Sequence, residues 1–159
     1  MNKGFVFIIT LILFNLSASA QFFNNKIEPT AENVVKWQMN VSALGKDTFQ
    51  VNAVAKVAPD YHVWALEAGG DGTLIHTEFE WQDEKNILWL GEWKESPDPI
   101  EKDLDFIDGT VRWHENEVTF SRVMVIRNHV KTLKGKVHYQ TCSEASCFPP
   151  RDYSFTLKF

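Results

Sequence analysis

An antiparallel β-sandwich is the fold the sequence predicts, and three observations predict it. After residue 30, apolar and polar residues alternate with a period of two rather than 3.6. The alternating runs are rich in Val, Ile, Thr and aromatic residues, which fit a half-buried pleated surface. Short clusters of Pro, Gly and Asp separate the runs.

Taken in order, the first expected strand covers residues 34–41 and the second covers 49–57. In the second, Phe49, Val51, Ala53, Ala55 and Val57 alternate with Gln50, Asn52, Val54 and Lys56. Ala58-Pro59-Asp60 turns the chain into a third strand over 61–66, and Gly69-Gly70-Asp71-Gly72 forms a loop. Strands over 75–81 and 87–90 follow, and Ser96-Pro97-Asp98-Pro99 opens a longer break. Val118-Thr119-Phe120 alternates until the phase slips around Arg122-Val123, a pattern that often marks a bulge. Residues 134–140 form the next strand. The last places Tyr153, Phe155, Leu157 and Phe159 opposite Ser154, Thr156 and Lys158. About eight short strands in one domain's length suggest an immunoglobulin-like sandwich. The inter-sheet disulfide of antibody domains is absent, because Cys142 and Cys147 lie in one connection.

The 159 residues suffice for one domain with its own core. Charged residues make up 23% and aromatics 13%, which argues against disorder. A formal net charge of −5 argues against a nucleic-acid partner. At the N-terminus, Lys3 precedes an apolar run over residues 5–16, and Ala18-Ser19-Ala20 supplies small residues for processing. This predicts a signal peptide over residues 1–20, cleaved after Ala20, and a mature domain over residues 21–159 with a polar lead-in to about residue 33. The run is short for an uncleaved anchor, and no second long apolar run follows, so no membrane span is expected in the mature chain. No cysteine marks the cleavage site for a lipid anchor.

Two cysteines, an even number at close spacing in an exported chain, point to a pair. The string is Tyr139-Gln140-Thr141-Cys142-Ser143-Glu144-Ala145-Ser146-Cys147-Phe148-Pro149-Pro150, joining two adjacent strands. Three readings stay open on these residues. The first is a structural disulfide. Its value is modest, since closing a loop of about six residues contributes about 2 kcal/mol against nearly 5 for a hundred. The second is an exchange-active disulfide, because accessible bonds are the labile ones. The third is zinc, for which the spacing is permissible but further ligands are lacking; His138 is the only histidine nearby in sequence. The two prolines hold the chain extended and remove two N–H donors. Lys134, Lys136 and Arg151 would favour a thiolate, and Glu144 and Asp152 would oppose it.

Tyr139-Gln140-x-Cys142-x4-Cys147-Phe148-Pro149-Pro150, followed by a terminal amphipathic strand, resembles the N-terminal periplasmic domain of the thiol:disulfide interchange protein DsbD. The resemblance covers about residues 30–159, with a spacer one residue shorter than in the best-known members. It implies an immunoglobulin-like sandwich in the periplasm that relays electrons between thioredoxin-fold donors and acceptors, without metal or organic cofactor. By position it makes Cys147 the nucleophile and Cys142 the resolving thiol. It also implies a cap loop whose Phe covers the disulfide, here Asp105-Phe106; an ordinary core Phe is the competing reading. Tyr61 and Trp64, with Tyr139 and Phe148, are then the aromatics flanking the site, against a reading as ordinary packing. The family's full-length members continue into a membrane electron-transfer domain and a thioredoxin-like domain. This sequence stops after the last strand, so a separate donor is expected, with a membrane electron-transfer protein as one candidate.

Two further signals carry other readings. Residues 92–108 hold seven acids and two lysines and read as a solvated loop, a docking rim for a basic partner, or a weak calcium site at Asp103, Asp105 and Asp108. Trp37, Trp81, Trp89, Trp93 and Trp113 suggest a rival function: a secreted ligand-binding module with an inert disulfide. No Ser/His/Asp grouping supports a hydrolase.

Overall fold

The computed structural model describes residues 28–159, so the expected signal peptide and its cleavage point lie outside the described residues. A single helical turn, Ala31–Val34, opens the described chain, capped by reciprocal contacts between Thr30 and Asn33. Eleven strands follow: β1 (Val35–Ala43), β2 (Thr48–Val57), β3 (Tyr61–Gly69), β4 (Glu78–Trp81), β5 (Ile87–Ser96), β6 (Ile100–Leu104), β7 (Ile107–His114), β8 (Glu117–Ile126), β9 (Thr132–Tyr139), β10 (Thr141–Ser143) and β11 (Arg151–Lys158).

They form an open antiparallel sandwich of three sheets, ordered β1-β2-β8-β5, β11-β9-β4 and β10-β3-β7-β6. Alternation builds the first contact between sheets. Val51, Ala53 and Ala55 of β2 and Val118, Phe120 and Met124 of β8 point inward, meeting Leu133 and Val137 of β9 and Phe155 and Leu157 of β11. This is the main core. A smaller second cluster holds Trp64, Ala68, Val111, Trp113 and Cys142, bordered by Leu74, Leu104 and Ile107. Strand β3 serves both: Val63 faces the main core and Trp64 the second cluster, so Val63, Trp64 and Ala65 are all buried. A half-buried strand alternates; a strand covered on both faces does not.

Three expectations need correction. Residues 75–77 are not strand. Thr77 instead binds β3 by its N–H to the Ala65 carbonyl (3.1 Å) and its hydroxyl to the Trp64 carbonyl (2.5 Å), which ties the third sheet to the second. Residues 92–108 are not one loop but chiefly the end of β5 and the β6–β7 hairpin, and six of their seven acids are exposed. The register irregularity near Arg122 lies in the opposing strand: β8 pairs with β2 without interruption, while β5 shifts between Leu90 and Lys94. There Gly91 takes φ +70°, and Arg122 donates to its carbonyl (2.7 Å). An arginine at an inward position had the look of a phase slip, although the parity of β8 holds.

One buried polar link joins the layers. His114 at the end of β7 pairs with Glu95 of β5, and Glu95 also accepts the Leu66 N–H of β3 (3.2 Å). Burying a polar group is tolerable when it is hydrogen-bonded, and here each finds its partner in another strand.

Candidate functional site

Strand β10 and the turn after it carry both cysteines. Cys142 and Cys147 form a disulfide that closes a tight turn, and they also pair as an antiparallel bridge. Backbone hydrogen bonds lie on both sides of it: Ser143 N–H to the Ser146 carbonyl (2.8 Å) and Phe148 N–H to the Thr141 carbonyl (2.9 Å). The Ser143 hydroxyl oxygen accepts from the Ala145 and Ser146 amides (both 3.3 Å). The turn is therefore held by its own backbone, with the sulfur bridge at its neck.

The two sulfur-bearing residues differ in access. Cys142 is 1% exposed, packed in the second cluster, whereas Cys147 lies exposed on the returning limb. An open cleft of about 390 Å³ contains both, lined by His62, Trp64, Trp113, Leu104 and Phe106 among others. Strand geometry explains this membership. Cys142 pairs with His62 across β10 and β3, and Trp64 pairs with Trp113 across β3 and β7, so all four project on one side of that sheet. Trp64 and Trp113 meet edge to face at 6.2 Å.

Phe106 and Asp105 form the turn of the β6–β7 hairpin, and Phe106 is 80% exposed while lining the cleft. Of the four aromatics expected beside the pair, Trp64 lines the cleft. Tyr61 and Phe148 stack on each other (5.8 Å) and pack toward the main core. Tyr139 is buried in that core against Trp37 (5.4 Å). The five tryptophans of the rival reading do not form one surface. Trp37 is in the main core and Trp113 in the second cluster, and Trp81, Trp89 and Trp93 form a separate strip between β4 and β5.

Two of the three basic residues near the pair in sequence are engaged elsewhere. Lys136 binds Glu80 (3.0 Å) and Asp152 (3.1 Å), and Arg151 binds Glu32 (3.2 Å). His138 turns to Asp152 (2.6 Å) on the outer face of β9, which takes it away from the zinc reading. Hydrogen bonds from His138 and Lys136 hold the Asp152 carboxyl below the usual carboxylate range. Asp103, one of the weak calcium candidates, accepts from the Thr110 hydroxyl (2.8 Å).

Residue-by-residue reading missed His62 and Glu115, and put Trp113 with the tryptophans of the rival reading instead of beside the pair. The His62 ring sits between Trp64 (4.9 Å) and Trp113 (5.3 Å). Burial pushes its pKa down, opposed by the nearby Glu115 carboxylate. Glu115 in turn accepts from the Trp113 indole N–H (2.9 Å). Strand parity carried the missing signal: His62 shares a face with Trp64, whereas Tyr61 does not.

The arrangement suits attack at an exposed sulfur with the second sulfur kept beneath it. Comparisons with known proteins agree. The family model for the thiol:disulfide interchange protein DsbD, N-terminal, matches residues 30–158. The fold is similar to the Neisseria meningitidis DsbD N-terminal domain in its reduced form, at TM-score 0.61 and 18% identity over 86% of this chain and 94% of that one. It is also similar to the N-terminal periplasmic domain of ScsB from Proteus mirabilis (TM-score 0.54, 22% identity, 78% of this chain, 45% of that one). A third likeness is to a complex between the DsbD N-terminal and PilB N-terminal domains from Neisseria meningitidis (TM-score 0.52, 20% identity, 83% and 88%). No curated protein matches the sequence.

Proposed function

The chain belongs to the DsbD N-terminal family, and from that premise we propose that it is a periplasmic thiol–disulfide exchange module working through Cys142 and Cys147. The observation that carries the reading is the asymmetry of the pair: an exposed Cys147 joined to a buried Cys142 at the floor of an open cleft. In the dithiol form the Cys147 thiolate attacks an oxidised partner and forms a mixed disulfide. Cys142 then resolves it, and the partner leaves reduced. Re-reduction by a thioredoxin-fold donor runs the same steps backward. The partners are thioredoxin-fold proteins or domains. A solved complex of a DsbD N-terminal domain with a PilB N-terminal domain supports docking of this fold onto a second domain. Phe106, 80% exposed at the hairpin turn beside the cleft, is the residue placed to act as the cap over the pair, while Cys147 stays exposed in this arrangement. The exported form is residues 21–159, after cleavage following Ala20. The chemistry is that of a protein-disulfide reductase, with the two sulfurs as the redox groups.

Partner trapping tests the roles. Cys142→Ser is expected to accumulate a mixed disulfide with a thioredoxin-fold protein, and Cys147→Ser is not. Capture by Cys147→Ser alone would reverse the assignment. In glutathione buffers the wild-type pair should equilibrate between about −270 and −200 mV; a value below about −300 mV would make the bond structural and end the relay reading.

A further inference from the structure

The buried resolving cysteine has a proton to lose and almost no exposure to solvent. Cys142 is 1% exposed, in a cluster of apolar and aromatic side chains. Such surroundings oppose a thiolate, the only form that can attack a disulfide. The side chain directly across from Cys142 is His62, its partner in the β10–β3 ladder. Cross-strand pairs of this kind place their Cβ atoms about 4.5–5.5 Å apart on one face. His62 Nε2 is buried and has no hydrogen-bond partner among the described residues, while both cysteines line the same cleft. A buried polar atom without a partner is uncommon and calls for an explanation.

We propose that His62 accepts the proton of the Cys142 thiol in the resolving step. The proposal rests on the exchange reading above. In the mixed disulfide, Cys147 Sγ is bonded to the partner's sulfur and Cys142 carries its proton. That proton passes to His62 Nε2, and the Cys142 thiolate attacks Cys147 Sγ. The Cys142–Cys147 bond forms, the bond from Cys147 to the partner breaks, and the partner's sulfur leaves with the electron pair. Over both steps the dithiol loses two electrons and the partner's disulfide gains them. A neutral ring with its proton on Nδ1 has a free lone pair at Nε2 for this purpose. Burial between Trp64 and Trp113 keeps the ring neutral. The charged groups that face it are Glu115 at the end of β7, Glu144 in the cysteine turn, Asp60 before β3 and Lys102 on β6. The carboxylates favour the imidazolium once the proton has moved, and Lys102 opposes it.

Dithiodipyridine, a neutral disulfide that the acidic rim does not repel, separates the steps. Reduced protein should release one thiopyridone as Cys147 is captured and a second as Cys142 resolves. Without a base, the second rate follows the thiolate fraction and falls tenfold per pH unit below about pH 8, since a free thiol titrates near 8.5. With His62 as acceptor, the wild-type second rate stays nearly level from about pH 8 down past the ordinary imidazole value of about 6.5, because burial lowers the His62 pKa, and falls only as the imidazole protonates. At pH 7 a thiol of ordinary pKa is about 3% ionised, so the base is worth up to about 30-fold. His62→Gln should therefore slow the second release about tenfold or more, leave the first within about twofold, and restore the tenfold-per-unit slope. A wild-type second phase with that slope already present overturns the proposal, whatever the variant does. Equal second rates in wild type and His62→Gln do the same. Absence of any second release from wild-type protein ends the relay reading, and the role of His62 with it.

Discussion

Phe106 is a large apolar side chain at a hairpin turn, 80% exposed, beside a disulfide. Nothing in the packing needs it there, and exposed substitutions of this kind change stability by less than about 0.5 kcal/mol. Its place at the cleft gives it a different consequence. Phe106→Ala should leave the urea midpoint nearly unchanged and speed reduction of the Cys142–Cys147 bond by dithiothreitol several-fold. An unchanged reduction rate would remove the shielding role. At this scale the sequence is legible where a residue's chemistry is unusual. Two closely spaced cysteines announce themselves, and so does the aromatic-Pro-Pro that follows them. The neighbours of the pair are less legible, because an aromatic in a strand can face either side. Tyr61 and Trp64 stand three apart and so lie on opposite faces of β3, one stacked with Phe148 and the other in the cleft. His62 was hidden between them for the same reason.

At the scale of the element, β9 shows how one small residue sets a sheet. Gly135 lies at the centre of β11-β9-β4, paired with Phe155 on one side and Trp81 on the other. A Cβ there would lie 2.6 Å from the Glu80 carbonyl oxygen and 2.6 Å from the Phe155 ring. The Phe155 ring fills the space a side chain would take, stacked edge-on to Trp81 at 5.1 Å. Gly135→Ala should cost about 1–3 kcal/mol in denaturant unfolding, the usual penalty of overpacking, and expose Trp81 to quenchers. No loss would mean that β4 moves aside freely. The strands themselves were legible, since alternation locates β2 and β11 closely. What alternation misreads is informative. The acidic composition of residues 92–108 suggested a loop because exposed strands carry the same charges as loops. Arg122 suggested a bulge in its own strand because an inward arginine breaks the apolar series. Its guanidinium in fact lies over Trp89 (4.9 Å) and caps the bulge opposite.

For the whole molecule, the two clusters divide the work. The main core joins the β1-β2-β8-β5 sheet to β11-β9-β4 and contains neither cysteine. The second cluster contains Cys142 and forms the floor of the site. Pairing of β3 with β7 and β10, and the sharing of β3 between the clusters, are long-range facts that no local pattern encodes, which is why the site had to wait for the fold. The division has a thermodynamic consequence. A relay domain must be folded in both its disulfide and dithiol forms. The Cys142–Cys147 bond closes a loop of only about six residues, so its chain-entropy contribution is about 2 kcal/mol. Domains of this size have about 5–15 kcal/mol of stability in all. The turn is also held by backbone hydrogen bonds that do not involve the sulfurs. Reduction should therefore lower the melting temperature by about 5–10 °C and leave a single cooperative transition. The aromatic signal in near-ultraviolet circular dichroism should change only modestly, because most of the aromatic packing belongs to the main core and the strip beside it. Unfolding on reduction at 25 °C would mean that the bond is a staple. The dithiol could then not serve as the electron-carrying state, however exposed Cys147 is.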